Sequence, residues 1–416
     1  MNRLLYCILL MAIPSAATAG PEDEVHRLLG QWRTAEAAAK VEPLLAALPD
    51  LPAIQEAAGM VKFYQQAYGD SVDLMRRARA ATGGTPTHFD LIVATHEVTR
   101  TFVRFPGKRF EVRTAPGPDE VLAPYLHQAL EQAIDRLGPR FGVTVTRPIV
   151  VEVYPSTESF SRVSTLPMKA IQTSGTIALC KFDRLMLITP RVTLRGYDWL
   201  DTAAHELVHL LISRRSHNTV PVWLHEGLAK YHEAGWRRSF GEPLAPHSAG
   251  LLAQAVNGDA LITFAQMSPS MALLPSQEAT ATAFAEVLTA IEFLILKHGE
   301  ESVLELVDAM RRHGGSEQAA FRTVTGKDRD GFEADWKAWV RTRKFERHDG
   351  ARAPAIAFGR NRAARDDNDP ERPEGEAGRR ARLGDLLYRR NHHKAAAVEY
   401  RRSVTKAGYG FPGLVH

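Results

Sequence analysis

His205, Glu206 and His209 fall within the pentapeptide "HELVH", and their types and spacing suit a metal site that cleaves bonds. Side chains four apart on a helix differ by about 40° of rotation and one turn of rise, so both imidazoles point the same way. A zinc ion needs that convergence of nitrogen ligands. Glu206 sits about 100° further round the helix. From there a carboxylate can lean over the metal without ligating it, and take a proton from water that the metal has acidified to a pKa of about 7. This is the H-E-x-x-H pattern. A second stretch, "HEVTR" at His96 to Arg100, starts the same way but lacks the second histidine. Glu226 is a candidate third ligand. It follows His209 by 17 positions, far enough for the chain to turn and bring a second helix back.

The elements that must position these residues are legible in the periodicity. Leu207, Val208, Leu210, Leu211 and Ile212 surround the motif. Its helix is therefore expected to be buried, where charged groups need a reason. "YDWLDTAAHELVHLLISRR" carries the helical period, with Asp198 as candidate N-cap. "VPVWLHEGLAKYHEAGW" reads as a second helix. Upstream, "RFEVRT" (Arg109 to Thr114) and the β-branched "RPIVVEVYP" (Arg147 to Pro155) read as strands, flanking a helix in "DEVLAPYLHQALEQAIDRLGPRFG". "SGTIALCKFDRLMLITP" (Ser174 to Pro190) reads as a further strand or a hairpin. Downstream of the motif the chain is mostly helical. Residues 21–80 also look helical, and "ATGGTP" (Ala81 to Pro86) breaks the pattern. A charged, apolar-poor stretch near the C-terminus reads as a flexible linker before a last helical pair.

The motif region closely resembles the gluzincin metallopeptidases, the peptidase-MA-like, thermolysin-like and aminopeptidase-like clan. Their second motif, W-L-x-E-G-x-A-x-Y-x-E, is matched by Trp223, Leu224, Glu226, Gly227, Ala229, Tyr231 and Glu233. The resemblance covers roughly Arg109 to Arg341 and is sharp over His205 to Glu233. It implies an α+β, zincin-like domain: a small twisted β-sheet over the active-site helix, a helical C-terminal lobe, and flanking helical hairpins. It implies one Zn²⁺ held by His205, His209 and Glu226, with Glu206 as the base. Glu233, two turns after Glu226, is expected to hydrogen-bond a ligand imidazole. His225 takes a variable position of the motif and is expected behind the ligands or on the substrate side; Tyr231 is expected behind the ligands. His217 is expected in the loop between the helices, and His232 is expected to be exposed. The strand before the motif helix, with Gly175, Thr176 and Cys180, is a candidate for pairing with extended substrate; an ordinary core strand is the alternative. Related families often carry a later tyrosine that stabilises the oxyanion. Here no tyrosine occurs between Tyr231 and Tyr388, and Phe284 stands where one is expected. Tyr231, His225 and Tyr197 are candidate substitutes. No G-x-M-E-N stretch is present, which favours an endopeptidase.

The last helical pair resembles a tetratricopeptide repeat at Gly384, Ala396, Tyr400 and Ser403. The same offsets fall on Gly59, Ser71, Met75 and Ala78, where a generic helical hairpin is the preferred reading. Arg3, the apolar run Leu4 to Ile13 and the A-x-A pattern at Ala17 and Ala19 read as a secretory signal peptide. The expected organisation is signal 1–19, a helical region 20–82, the peptidase-like domain 88–345, a linker 346–380 and a hairpin 381–416. The mature protein would be secreted or periplasmic, with no membrane span left after cleavage; no other apolar run reads as a transmembrane helix. Cys7 would leave with the signal and Cys180 would stand alone, which excludes an intrachain disulfide and a cysteine-based zinc cluster. A formal charge of +4 over 416 residues, without a dense basic run, gives no case for nucleic acid. The expected partner is a peptide or protein substrate, with a further protein partner possible through the helical repeats. A catalytically inert zinc-binding, helical-repeat interaction protein is the alternative.

Overall fold

The structure is a computed structural model that describes residues 20–193, 196–241, 244–345, 375–389 and 392–407. The expected signal segment at 1–19, with Cys7, and most of the expected linker at 346–380 lie outside the described residues. The chain divides into two compact units, one up to Phe89 and one from Asp90.

In the first unit, apolar residues at helical spacing build α1 (Pro21–Gly30), α2 (Thr34–Ala47), α3 (Pro52–Tyr64) and α4 (Tyr68–Thr82). Val25, Leu28, Val41, Ile54, Val61, Val72 and Met75 are buried. The hairpin of α3 and α4 closes tightly because Gly59 has no side chain: a Cβ there would lie 3.1 Å from Met75. Ser71 Oγ donates to the Gly59 carbonyl at 2.7 Å.

The second unit is mixed. After α5 (Phe89–Thr99) come β1 (Val103–Pro106), β2 (Phe110–Thr114), α6 (Ala123–Phe141), β3 (Ile149–Tyr154), α7 (Thr157–Ser164), α8 (Met168–Ser174), β4 (Ala178–Lys181) and β5 (Arg184–Ile188). The five strands form one sheet in the order β1-β2-β3-β5-β4. β2, β3 and β5 run parallel, and antiparallel β1 and β4 close the edges. Every residue of β3 is buried, as a central parallel strand covered on both faces requires. On one face Tyr154, Met186 and Ile188 pack with Phe160 and Val163 of α7 and Ile171 of α8. Residues of the opposite parity, Val151, Val153, Leu185 and Leu187, are buried as well.

β4 and β5 form a hairpin. Its two-residue turn, Phe182 and Asp183, has φ of 54° and 61°, which matches the twist of the flanking strands. Asp183 is 2 % exposed and accepts from Arg147 and from Arg214 at 2.8 Å. Arg214 belongs to the next helix, α9 (Trp199–Ser216), so the hairpin is tied to it. Then follow α10 (Val222–His232), α11 (Pro246–Asn257), α12 (Gln277–His298), α13 (Ser302–Arg312), α14 (Glu317–Thr325) and α15 (Arg329–Thr342). Contrary to the sequence expectation, α12 is long and apolar enough to cross a membrane, but most of it is buried inside this unit. Trp223 of α10 stacks on Phe264 at 3.8 Å, and Phe264 on Trp336 of α15 at 5.3 Å, which joins α10 to the helical lobe.

A last hairpin, α16 (Gly375–Arg389) and α17 (His393–Ala407), uses the device seen in α3 and α4. A Cβ on Gly384 would lie 2.5 Å from the Tyr400 ring. Ala396 and Ser403 are buried.

Candidate metal centre

α9 carries His205 and His209 on one face, with their ring centroids 4.8 Å apart. The chain leaves α9 through His217 and Asn218, both in the left-handed conformation, and returns as α10. That return sets Glu226 against both imidazoles. Glu226 Oε2 lies 3.3 Å from His205 Nε2 and 3.5 Å from His209 Nε2. Ligand atoms at zinc-like bond lengths of about 2.0–2.2 Å in a tetrahedron are separated by roughly 3.3–3.5 Å, so Glu226 Oε2 stands at such a spacing from each imidazole nitrogen. His205, Glu206 and His209 offer their own ligand atoms within 4.8 Å of one another.

The outer nitrogens are also occupied. His205 Nδ1 lies 3.1 Å from Glu233 Oε2, and His209 Nδ1 lies 3.1 Å from His225 Nδ1. Glu206 is 6 % exposed beside them. Burial pushes its pKa up, while the two imidazoles and the Cys180 peptide N–H on β4 favour its ionised form.

The pocket calls for positive charge. Burial alone would lower the pKa of His205, but the carboxylates of Glu226 and Glu233 overcome it and push the pKa up to about 10. Burial works against ionisation of Glu226, yet the imidazoles hold its carboxyl far below the usual range. A dication replacing that proton would satisfy the same carboxylates, so the donor set fits zinc in charge as well as in spacing.

The other expected site residues fall partly where expected and partly elsewhere. Gly175 and Thr176 are not on a strand: Met168 to Ser174 form α8, Gly175 caps it at φ 72°, and β4 begins at Ala178. Cys180 does lie on β4, the sheet edge, partly exposed; burial and the nearby Glu206 charge push its thiol pKa well up. Tyr231 lies five residues after Glu226, about 140° round the helix. It sits against Gly241 among Glu292, Ile295 and Leu296, with its ring 5.0 Å from that of His232. His232, expected to be exposed, is fully buried. Its Nδ1–H donates to the Leu228 carbonyl at 2.7 Å, its Nε2 accepts from Arg140 at 2.9 Å, and burial lowers its pKa to about 3. Asp198 occupies the N-cap of α9, but its side chain makes no capping bond. Tyr197 donates its hydroxyl to the Ile188 carbonyl. Phe284 of α12 stands beside His205. The sequence reading missed Lys230, which donates to Glu233; its position four residues after Glu226 was the available signal.

In this mixed helix-and-sheet protein a buried helix and a returning helix thus converge a histidine and carboxylate set beside a sheet edge. The family model described as the Peptidase MA superfamily matches residues 129–342, from within α6 to the end of α15. The chain belongs to the Peptidase MA superfamily. A search of curated proteins returned no match.

Proposed function

We propose that this protein is an extracytoplasmic zinc-dependent metallopeptidase that hydrolyses peptide bonds. The observation that carries this reading is the approach of His205 Nε2 and His209 Nε2 to Glu226 Oε2, at 3.3 and 3.5 Å, with Glu206 buried alongside. His205, His209 and Glu226 would hold one Zn²⁺. When bound, the ion supplies Lewis acidity that polarises a carbonyl and acidifies water. Glu206 takes the proton from the attacking water and returns it to the leaving amine; a carboxylate whose pKa burial has raised is suited to both transfers. Glu233 and His225 orient the two imidazoles through their outer nitrogens. The outer edge of β4 offers backbone groups to an extended peptide beside the Cys180 N–H that Glu206 accepts. The extracytoplasmic setting rests on the signal-like pattern from Arg3 to Ala19, and the hairpins at either end offer surfaces for a protein partner.

One observation favours a second reading, a zinc-binding interaction protein without turnover: Phe284 stands beside His205 and has no proton to donate to an oxyanion. Elemental analysis and hydrolysis of casein or a mixed peptide library separate the two. Peptidase function requires one zinc per chain, lost in His205→Ala, and cleavage that Glu206→Gln abolishes while zinc is retained. Zinc without cleavage of any library selects the second reading. Absence of zinc from the wild type overturns both.

A further inference from the structure

We infer that Lys230 is a positioning residue: its ammonium holds one oxygen of Glu233 so that the other faces His205. The inference rests on the zinc reading above. Glu226, Lys230 and Glu233 follow one another at i, i+4 and i+7 along α10 and its cap, so they share one face. Glu233 Oε2 lies 3.1 Å from His205 Nδ1, and Glu233 Oε1 accepts from Lys230 Nζ. Among the described residues, no other side chain bonds this carboxylate. Glu233 keeps 20 % of its side chain exposed, so without Lys230 it has one anchor and room to swing towards water.

Lys230 lies in the fields of Glu233, Asp201 and Asp198, the last two from the start of α9. Asp201 sits four residues before His205 and accepts from Trp236 Nε1 at 2.8 Å and Arg237 Nε at 2.9 Å. The contacts thus run from a metal-facing imidazole through Glu233 to Lys230, and the Asp201 carboxylate acts on that ammonium through its field.

Two roles for this cation predict opposite signs. A positive charge near a dication opposes its binding, so a purely electrostatic Lys230 would weaken zinc affinity and its removal would strengthen it. A positioning Lys230 strengthens affinity, because the imidazole it orients through Glu233 becomes a fixed ligand.

The test measures zinc Kd by competition with a chromophoric chelator, alongside the visible spectrum of the cobalt-substituted protein. Loss of a partner behind a metal-bound histidine typically costs about 10- to 100-fold in affinity. Lys230→Met is therefore expected to weaken zinc binding by roughly 10-fold and to shift the cobalt spectrum. Lys230→Arg should restore both. In a Glu233→Gln background, Lys230→Met should add nothing, since the cation acts through that carboxylate. Unchanged or tighter zinc binding in Lys230→Met overturns the proposal. So does an undiminished loss in the Glu233→Gln background, which also reads the proposal if Lys230→Met alone folds poorly. Wild-type protein that binds no zinc overturns the parent reading and this inference together, and that outcome is read before any variant is made.

Discussion

The ring of Phe284 stands 6.4 Å from that of His205, centroid to centroid, and meets it edge-on at 64°. α12 therefore brings to the pocket an aromatic surface with no proton. The tyrosines nearest in sequence to the motif do not replace it: Tyr197 is bonded to the Ile188 carbonyl, and Tyr231 sits against Gly241. Removing one oxyanion donor from an acyl-transfer site typically costs about 10²- to 10³-fold in kcat. Phe284→Tyr is expected to raise kcat for peptide cleavage by about 10-fold or more, with zinc content unchanged. Steady-state kinetics on a fluorogenic peptide library check this. An unchanged kcat would mean that position 284 does not reach the reacting carbonyl.

Glu286 gives a pH dependence with a definite sign. It is fully buried on α12; one oxygen accepts the Ile262 N–H at 3.0 Å and the other has no hydrogen-bond partner. Burial pushes its pKa up to about 8, against the opposing pull of the Ile262 N–H and Lys337; an exposed glutamate titrates near 4.5. Between those values the folded chain holds a proton that the unfolded chain has released. Stability contributed by this group therefore falls as pH rises from about 4.5 to about 8, and levels off above. Glu286→Gln keeps an acceptor for Ile262 and has no proton to lose. It should stabilise the protein at pH 7 by about 1–3 kcal/mol and flatten the slope. Urea midpoints from pH 5 to 9 decide it; a slope that survives the substitution assigns the effect elsewhere.

Gly227, next to Glu226, lets α10 pack closely on α12. A Cβ there would lie 2.9 Å from the Val287 carbonyl oxygen and 2.9 Å from Ile291 Cγ1. The carbonyl belongs to the helix backbone and does not yield as a side-chain end would. Gly227→Ala is expected to cost about 1–3 kcal/mol and to weaken zinc binding by displacing Glu226. Thermal unfolding and chelator competition measure both. Wild-type values in both would show that the helices slide apart without cost.

Asp183 ties the β4–β5 turn to α9 through Arg214 and to the chain before β3 through Arg147. Asp183→Asn removes the charge that both guanidiniums share. Because Arg147 is about one-third exposed, the expected loss is about 1–3 kcal/mol, below that for a fully buried pair. Since Cys180 on β4 faces Glu206, kcat should fall more than KM rises. Equal stability and kinetics in Asp183→Asn would remove the hairpin clamp from the account.

Local pattern in the sequence reached the helix of "HELVH", its burial, the returning helix with Glu226, and the β-branched strands. Those features depend on period and composition over a few turns, which neighbouring residues encode directly. The approach of Glu233 to His205 was legible for the same reason, because positions two turns apart share a face. Tertiary packing decided the rest. His232 is buried because Arg140 and Phe141 of α6 meet that side of α10, and nothing within "WLHEGLAKYHE" announces α6. Gly175 and Thr176 fall in a turn because α8 packs Ile171 into the sheet's core, which outweighs the β-like run that follows. Tyr231 and His225 lie on the same short helix, yet one meets Gly241 and the other meets His209. Helical period tells which residues share a face; only the long-range fold tells what each face meets. That is why the sequence by itself pointed to the candidate ligands and base and to His225 and Phe284 near them, while the contacts those two make, with His209 and His205, and the part of Lys230 emerged with the tertiary structure.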